Sequence, residues 1–194
     1  MSFQQSTQLL PNSAYECCDA ARHNKLSSLE RIIRHQPHVI NELHDDRTPL
    51  MIASTYGHID IVHFLITQKA SINIVTEENW SALSFAAYNG RLEVAKLLLS
   101  NKASTEIVDV LGWSPLISAA QNGHISVVEL LLEYKADVFQ MTLSKLNAYS
   151  VARLYNHHEI ATMLQASENK QRYLLAERLR DIECQEMQQK EILN

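Results

Sequence analysis

Small and apolar residues fall into short blocks along this chain, each closed by Gly or Asn and followed by a longer aliphatic block. Pro115 to Gln121 is one small-residue block, and its apolar partner carries Val127, Val128, Leu130, Leu131 and Leu132. The first pattern predicts a short helix ended by a left-handed residue, because Gly lacks a Cβ and Asn tolerates that conformation best among the others. The second predicts a helix whose apolar width suits packing on two neighbours.

The pair recurs with a fixed step. The triplets Thr48-Pro49-Leu50, Ser81-Ala82-Leu83, Ser114-Pro115-Leu116 and Asn147-Ala148-Tyr149 each begin 33 residues after the last. Ala53, Ala86, Ala119 and Ala152 keep the same register, as do Gly57, Gly90, Gly123 and Asn156, and Leu65, Leu98, Leu131 and Leu164. One further step back reaches Tyr15, Ala20, Asn24 and Ile32, which places a degraded fifth copy at the start. A fixed period of this size predicts a solenoid, in which each unit buries its apolar surface against its neighbours.

These motifs resemble the ankyrin repeat family: the T-P-L and S-P-L triplets, Gly57-His58 and Gly123-His124, the V-V-E-L-L-L of 127 to 132, and the D-x-x-G turn Asp109 to Gly112. The resemblance covers about four-fifths of the chain. It implies an all-α ankyrin solenoid of stacked helix pairs with projecting β-hairpin loops, in five copies near 13–42, 43–75, 76–108, 109–141 and 142–165. Residues 1–12 are expected to be a flexible N-terminus, and residues 166–194 a charged C-terminal helix.

Departures from the family pattern carry expectations of their own. Met51, Ser84, Ile117 and Ser150 stand where the family has His, so the family's Thr-His hydrogen bond is expected to be absent. Lys69, Lys102 and Lys135 replace the usual Gly at the end of the second helix. Each is expected to cost about 1 kcal/mol if the left-handed backbone is kept.

The resemblance also implies a concave binding face, built from fingertip residues before each triplet and from the two residues preceding each Gly. The tip column comprises Asp45, Arg47, Glu77, Glu78, Trp80, Val110, Leu111, Trp113, Leu143 and Leu146. The helix column comprises Thr55-Tyr56, Tyr88-Asn89, Gln121-Asn122 and Leu154-Tyr155. Trp80, Trp113 and Leu146 are thereby expected to form a ridge, open to a partner or folded flat over its own hairpins. The tips are charged in copies two and three and apolar in copies four and five, so a matching partner is expected to be basic towards one end and apolar towards the other. Asn73 closes an A-S-I-N segment where many ankyrin proteins carry a hydroxylated Asn, although Ser71 stands in place of the usual acid.

The tail between 167 and 192 is rich in Glu, Gln, Lys and Arg and lacks Gly and Pro, which allows a helix of up to ~39 Å. Leu175, Leu179 and Ile182 form an apolar stripe that ends at Glu186 and Gln189, so the helix is expected either to cap copy five or to bind a partner or a second copy. One and a half heptads fall short of a coiled-coil signature.

Composition narrows the chemistry. The net charge is −5 without a basic cluster, which argues against nucleic acid as the main partner. No apolar run reaches membrane-spanning length. Three cysteines, two of them adjacent and none in a C-x-x-C spacing, point to a reduced chain, cytoplasmic or nuclear. Phosphate-binding, acyl-transfer and zinc-protease motifs are all missing, and the nine histidines show no metal-ligand spacing. The expectation is a non-catalytic module without cofactor or metal that binds a protein through its concave face. The alternatives are an assembly protein self-associating through its C-terminal helix, and a small effector that occludes a partner enzyme.

Overall fold

The computed structural model describes residues 13–192, and the side chains of residue 181 and of residues 183 onward lie outside that description. The expected flexible N-terminus at 1–12 also falls outside the described residues. Ten α-helices follow in pairs: α1 (Ser13–Arg22) and α2 (Leu26–His35); α3 (Pro49–Tyr56) and α4 (Ile59–Thr67); α5 (Ala82–Tyr88) and α6 (Leu92–Ser100); α7 (Pro115–Gln121) and α8 (Ile125–Glu133); α9 (Ala148–Leu154) and α10 (His158–Ile192). A 3-10 turn at Pro37–Asn41 closes the first copy. The odd-numbered helices stack on one another along the array, and α4, α6, α8 and α10 form the second layer.

The periodic columns are the core. Ala53, Ala86, Ala119 and Ala152 are fully buried between stacked inner helices, and Leu65, Leu98, Leu131 and Leu164 are fully buried beneath the outer ones. Alanine at this position lets helices approach closely, whereas the outer helices need the volume of leucine to fill their layer.

The inner helices α3, α5, α7 and α9 begin with the same cap. The side chains of Thr48, Ser81, Ser114 and Asn147 accept hydrogen bonds from the backbone N–H three residues on, at 3.3, 3.1, 3.3 and 2.9 Å. The residues standing in place of the family's His still contribute in two copies. Ser84 Oγ accepts from the Ser81 N–H at 3.3 Å, and Met51 Sδ from the Thr48 N–H at 3.4 Å. A hydroxyl and a thioether thus complete a reciprocal cap without an imidazole.

Each inner helix stops at a left-handed residue: Asn24, Gly57, Gly90, Gly123 or Asn156, with φ of 54°, 80°, 65°, 74° and 62°. The N–H after it then reaches back to the alanine column, as Arg91 does to the Ala86 carbonyl at 2.8 Å and His124 to that of Ala119 at 3.0 Å. Lys69, Lys102 and Lys135 are left-handed too, at 69°, 69° and 60°. The N–H groups of Ala70, Ala103 and Ala136 reach back five residues in the same way. The Lys residues therefore adopt the strained conformation that the register requires, at a cost of about 1 kcal/mol each.

The hairpin loops are narrower than strands. Among the described residues, the only β-bridges are isolated ones, His44 with Arg47 and Val75 with Ser81. A side chain closes each later finger instead. Thr76 Oγ1 accepts from Trp80 N–H at 3.0 Å, Asp109 Oδ1 from Trp113 N–H at 2.8 Å, and Thr142 Oγ1 from Leu146 N–H at 3.2 Å. An oxygen-bearing side chain at the base of the finger replaces a strand ladder.

The last helix departs from the repeat plan. With neither Gly nor a Lys-Ala stop after copy five, α10 runs unbroken through the expected boundary at 165 and 166 and reaches Ile192. Its first half is tied to the stack: Asn147 Nδ2 donates to Glu168 Oε1 at 2.7 Å, and the Arg172 guanidinium lies 5.4 Å from the Phe139 ring centre. Beyond Arg172 the apolar residues Tyr173, Leu174, Leu175, Leu179 and Ile182 are all exposed. The tail is a continuation of the second helix of copy five, not a separate helix folded back on it.

Candidate partner-binding face

Neighbouring copies are locked by one recurring side chain. The residue after each left-handed stop reaches across to the previous copy: His58 Nε2 donates to the Arg22 carbonyl at 3.0 Å, His124 Nε2 to Tyr88 at 2.9 Å, and His157 Nε2 to Gln121 at 3.0 Å. Copy three has Arg91 in this column, and its Nε donates to the Thr55 carbonyl at 3.0 Å. These three histidines are inter-repeat ties. Among the described residues no group of three or more His, Cys, Asp or Glu converges as a metal site requires.

The fingertips are tied as well. Val110 N–H donates to the Glu78 carbonyl at 3.1 Å, and Leu143 N–H to that of Leu111 at 2.9 Å. The Asp46 carboxylate accepts from Glu77 N–H at 2.9 and 3.1 Å. Lower in the loops, Asn73 Oδ1 accepts from Ser104 N–H at 3.0 Å and its Nδ2 donates to the Lys102 carbonyl at 3.3 Å. Both ends of the Asn73 amide therefore join copies two and three.

A cleft of about 480 Å³ opens between the fingers and inner helices of copies two and three. Six residues of the predicted face meet there: Asp45, Arg47, Glu78, Trp80, Tyr88 and Asn89. Thr55, from the same helix column, lines it as well. Trp80 packs on Phe85 and Tyr88, with ring centres 5.2 and 5.6 Å apart. The Arg47 guanidinium sits 4.7 Å from the Phe85 centre. Phe85 was not among the expected site residues. Its column holds Asp19, Ile52, Ser118 and Val151 in the other copies, and a lone aromatic ring in that column was the only signal.

Most of the other predicted residues lie outside the cleft. Tyr56 is exposed and stacked against His58. The amides of Asn89 and Asn122 bond back to the Phe85 and Ser118 carbonyls at 2.8 and 2.9 Å, which makes them helix-end caps as well as face residues. Gln121 Nε2 donates to Tyr155 Oη at 2.9 Å, joining copies four and five across the face. Val110, Leu111 and Leu143 are 59%, 55% and 71% exposed, so the apolar tips of copies four and five are open. Leu146 belongs to a second hollow with Tyr149, Arg153 and Leu154. Trp80, Trp113 and Leu146 are each half-buried and packed on the core. Each is partly covered by the core and leaves part of its surface free.

Cys17 and Cys18, in α1, are buried, and Cys18 Sγ donates to the Arg47 carbonyl at 3.6 Å. Burial pushes both thiols from their ordinary value of 9.0 up to about 12. The neighbouring Cys18 and the Glu42 carboxylate add to the effect at Cys17. At Cys18 the Arg22 charge and a backbone hydrogen bond at His44 partly offset it. Neither cysteine has the thiolate character that a nucleophile needs.

A family model described as ankyrin repeats in three copies matches residues 18–109 and again residues 102–174. The chain belongs to the ankyrin repeat family. Ankyrin repeat domains are in general protein–protein interaction modules rather than catalysts. A search of curated proteins returned no match.

Proposed function

We propose that this chain binds a protein partner through its concave face, with the cleft between copies two and three and the apolar tips of copies four and five as the two contact areas. One observation carries the reading: Trp80 and Tyr88 wall an open cleft on the face whose other end exposes Val110, Leu111 and Leu143. Half-buried aromatic residues give large rigid contact area at small entropic cost, and an exposed apolar stripe at the far end needs a cover.

Affinity capture from the native lysate, with wild type beside a Trp80→Ala/Trp113→Ala double variant, tests the reading. The wild type is expected to retain a partner that the variant loses by at least about tenfold, as for hot-spot aromatics. Equal recovery of every captured protein by both baits overturns the concave face as the binding surface.

A second reading is self-association through α10. Leu175, Leu179 and Ile182 are each at least half exposed on a helix whose docked part ends near Arg172. Sedimentation equilibrium of the full chain is expected to show a dimer that a Leu175→Glu/Leu179→Glu variant abolishes. A wild-type monomer throughout the micromolar range removes this reading.

A further inference from the structure

We propose that the cleft between copies two and three takes an arginine side chain of the partner, and that Arg47 occupies part of that site until the partner arrives. This rests on the concave-face reading and specifies what one part of the face recognises.

Charge is the first ground. Asp45, Asp46 and Glu78 line the cleft, and Arg47 is the only cation among its lining residues. Two of the three carboxylates are already engaged, Asp46 with the Glu77 N–H and Asp45 with His44 at 3.4 Å. Among the described residues the Glu78 carboxylate has no hydrogen-bond or ion-pair partner, and Arg47 makes no salt bridge. The cleft therefore holds excess negative charge that its own cation does not neutralise.

The aromatic walls are the second ground, independent of the first. The Phe85 ring already accepts a guanidinium on its face, since Arg47 lies 4.7 Å from its centre. Trp80 and Tyr88 meet at 69° beside it and form a corner of two further rings, with Tyr88 exposed. A planar guanidinium can stack on such rings while its edge donates to carboxylates, and an ammonium does this less well. A volume of about 480 Å³ exceeds what one side chain fills, so a second guanidinium can enter beside Arg47 or displace it.

Arg47 then acts as an internal competitor. It presents the same group to the same ring, and its charge opposes that of an incoming cation. Removing it is expected to tighten binding, the opposite of what removing an ordinary contact residue does.

The test is an NMR titration of the full 15N-labelled chain with N-acetyl-arginine amide, beside the neutral isostere N-acetyl-citrulline amide. The two indole N–H signals provide an internal comparison, because Trp80 lines the cleft and Trp113 does not. The Trp80 signal is expected to shift saturably with the arginine amide while Trp113 stays in place, and the citrulline amide is expected to move neither. Glu78→Gln is expected to weaken the arginine amide about threefold, and Arg47→Gln to tighten it about threefold, as for one exposed charge or cation–π contact. Both positions are solvent-exposed, so the variants retain the fold. Equal shifts with the two amides, or shifts of both indoles together, overturn the proposal. Unchanged affinity in Glu78→Gln, or weaker binding in Arg47→Gln, does the same. Loss of capture in the tryptophan variant together with an arginine-blind cleft overturns only the occupant, whereas capture that survives the variant overturns the face itself.

Discussion

Gly90→Ala is expected to lower the unfolding free energy by about 2–4 kcal/mol. A Cβ built at Gly90 would lie 2.6 Å from His124 Nδ1 and 2.7 Å from Cε1. The ring cannot swing away freely, because its Nε2 is bonded to the Tyr88 carbonyl at 2.9 Å. Alanine at this place therefore incurs the left-handed backbone cost at φ 65° and also displaces the tie between copies three and four. Gly57 separates the two contributions. A Cβ there meets Arg91 Cδ at 2.9 Å, and a flexible arginine stem can move where a pinned imidazole cannot. Urea midpoints at constant m are expected to fall clearly further for Gly90→Ala than for Gly57→Ala. In a His124→Ala background, Gly90→Ala is expected to cost only the backbone part, about 1–2 kcal/mol. Equal losses for all three comparisons would show that the histidine tie contributes nothing.

The second large effect is alkaline. The folded state holds the Cys17 and Cys18 thiols protonated up to about pH 12, while in the unfolded chain they ionise near 9.0. A pKa raised on folding stabilises fully below the unfolded value, and that stability is lost as pH rises through the window from 9 towards 12. Above pH 9 the unfolded chain binds fewer protons than the folded one, so the unfolding free energy falls by up to about 1.4 kcal/mol per pH unit for each thiol. Tyr and Lys also titrate in this range, so the informative quantity is a difference. Urea melts of wild type and Cys17→Ala/Cys18→Ala from pH 8 to 10.5 are expected to show a steeper decline for the wild type. Parallel slopes would mean that the thiols ionise alike in both states. Because both cysteines sit in α1, loss is expected first in the N-terminal copy.

Most of the scaffold was legible in the residues, because a solenoid repeats its physics at fixed intervals. The left-handed stops at Gly57, Gly90, Gly123, Asn24 and Asn156 fall where the 33-residue step puts them, and so do the strained lysines. The caps were legible as Thr, Ser or Asn before α3, α5, α7 and α9. The reciprocal half of the cap was not, since a methionine sulfur or serine hydroxyl can replace an imidazole only when its rotamer allows, and no one-dimensional pattern shows a rotamer.

The site was legible as columns and illegible as a shape. Asp45, Arg47, Glu78, Trp80, Tyr88 and Asn89 were expected on one face and do meet in one cleft. Glu77 was expected among the tip residues, yet the turn points the Asp46 carboxylate at the Glu77 N–H and lets Asp46 but not Glu77 line the cleft. Phe85 escaped notice because no other copy holds an aromatic residue in its column. It gains its part only from Trp80 and Arg47, which come from two different fingers.

The sequence alone determined the period, the family, the helix ends and the face on which polar and aromatic residues gather, since each follows from a local rule about one residue in one backbone state. Tertiary structure alone decided three things: that Arg47 crosses to the Phe85 ring of the next copy, that the tryptophans are half-buried against the core, and that α10 continues past Arg172 with its apolar stripe uncovered. Each is a competition between neighbours for the same surface, and the winner depends on distances between copies that no single stretch of chain contains.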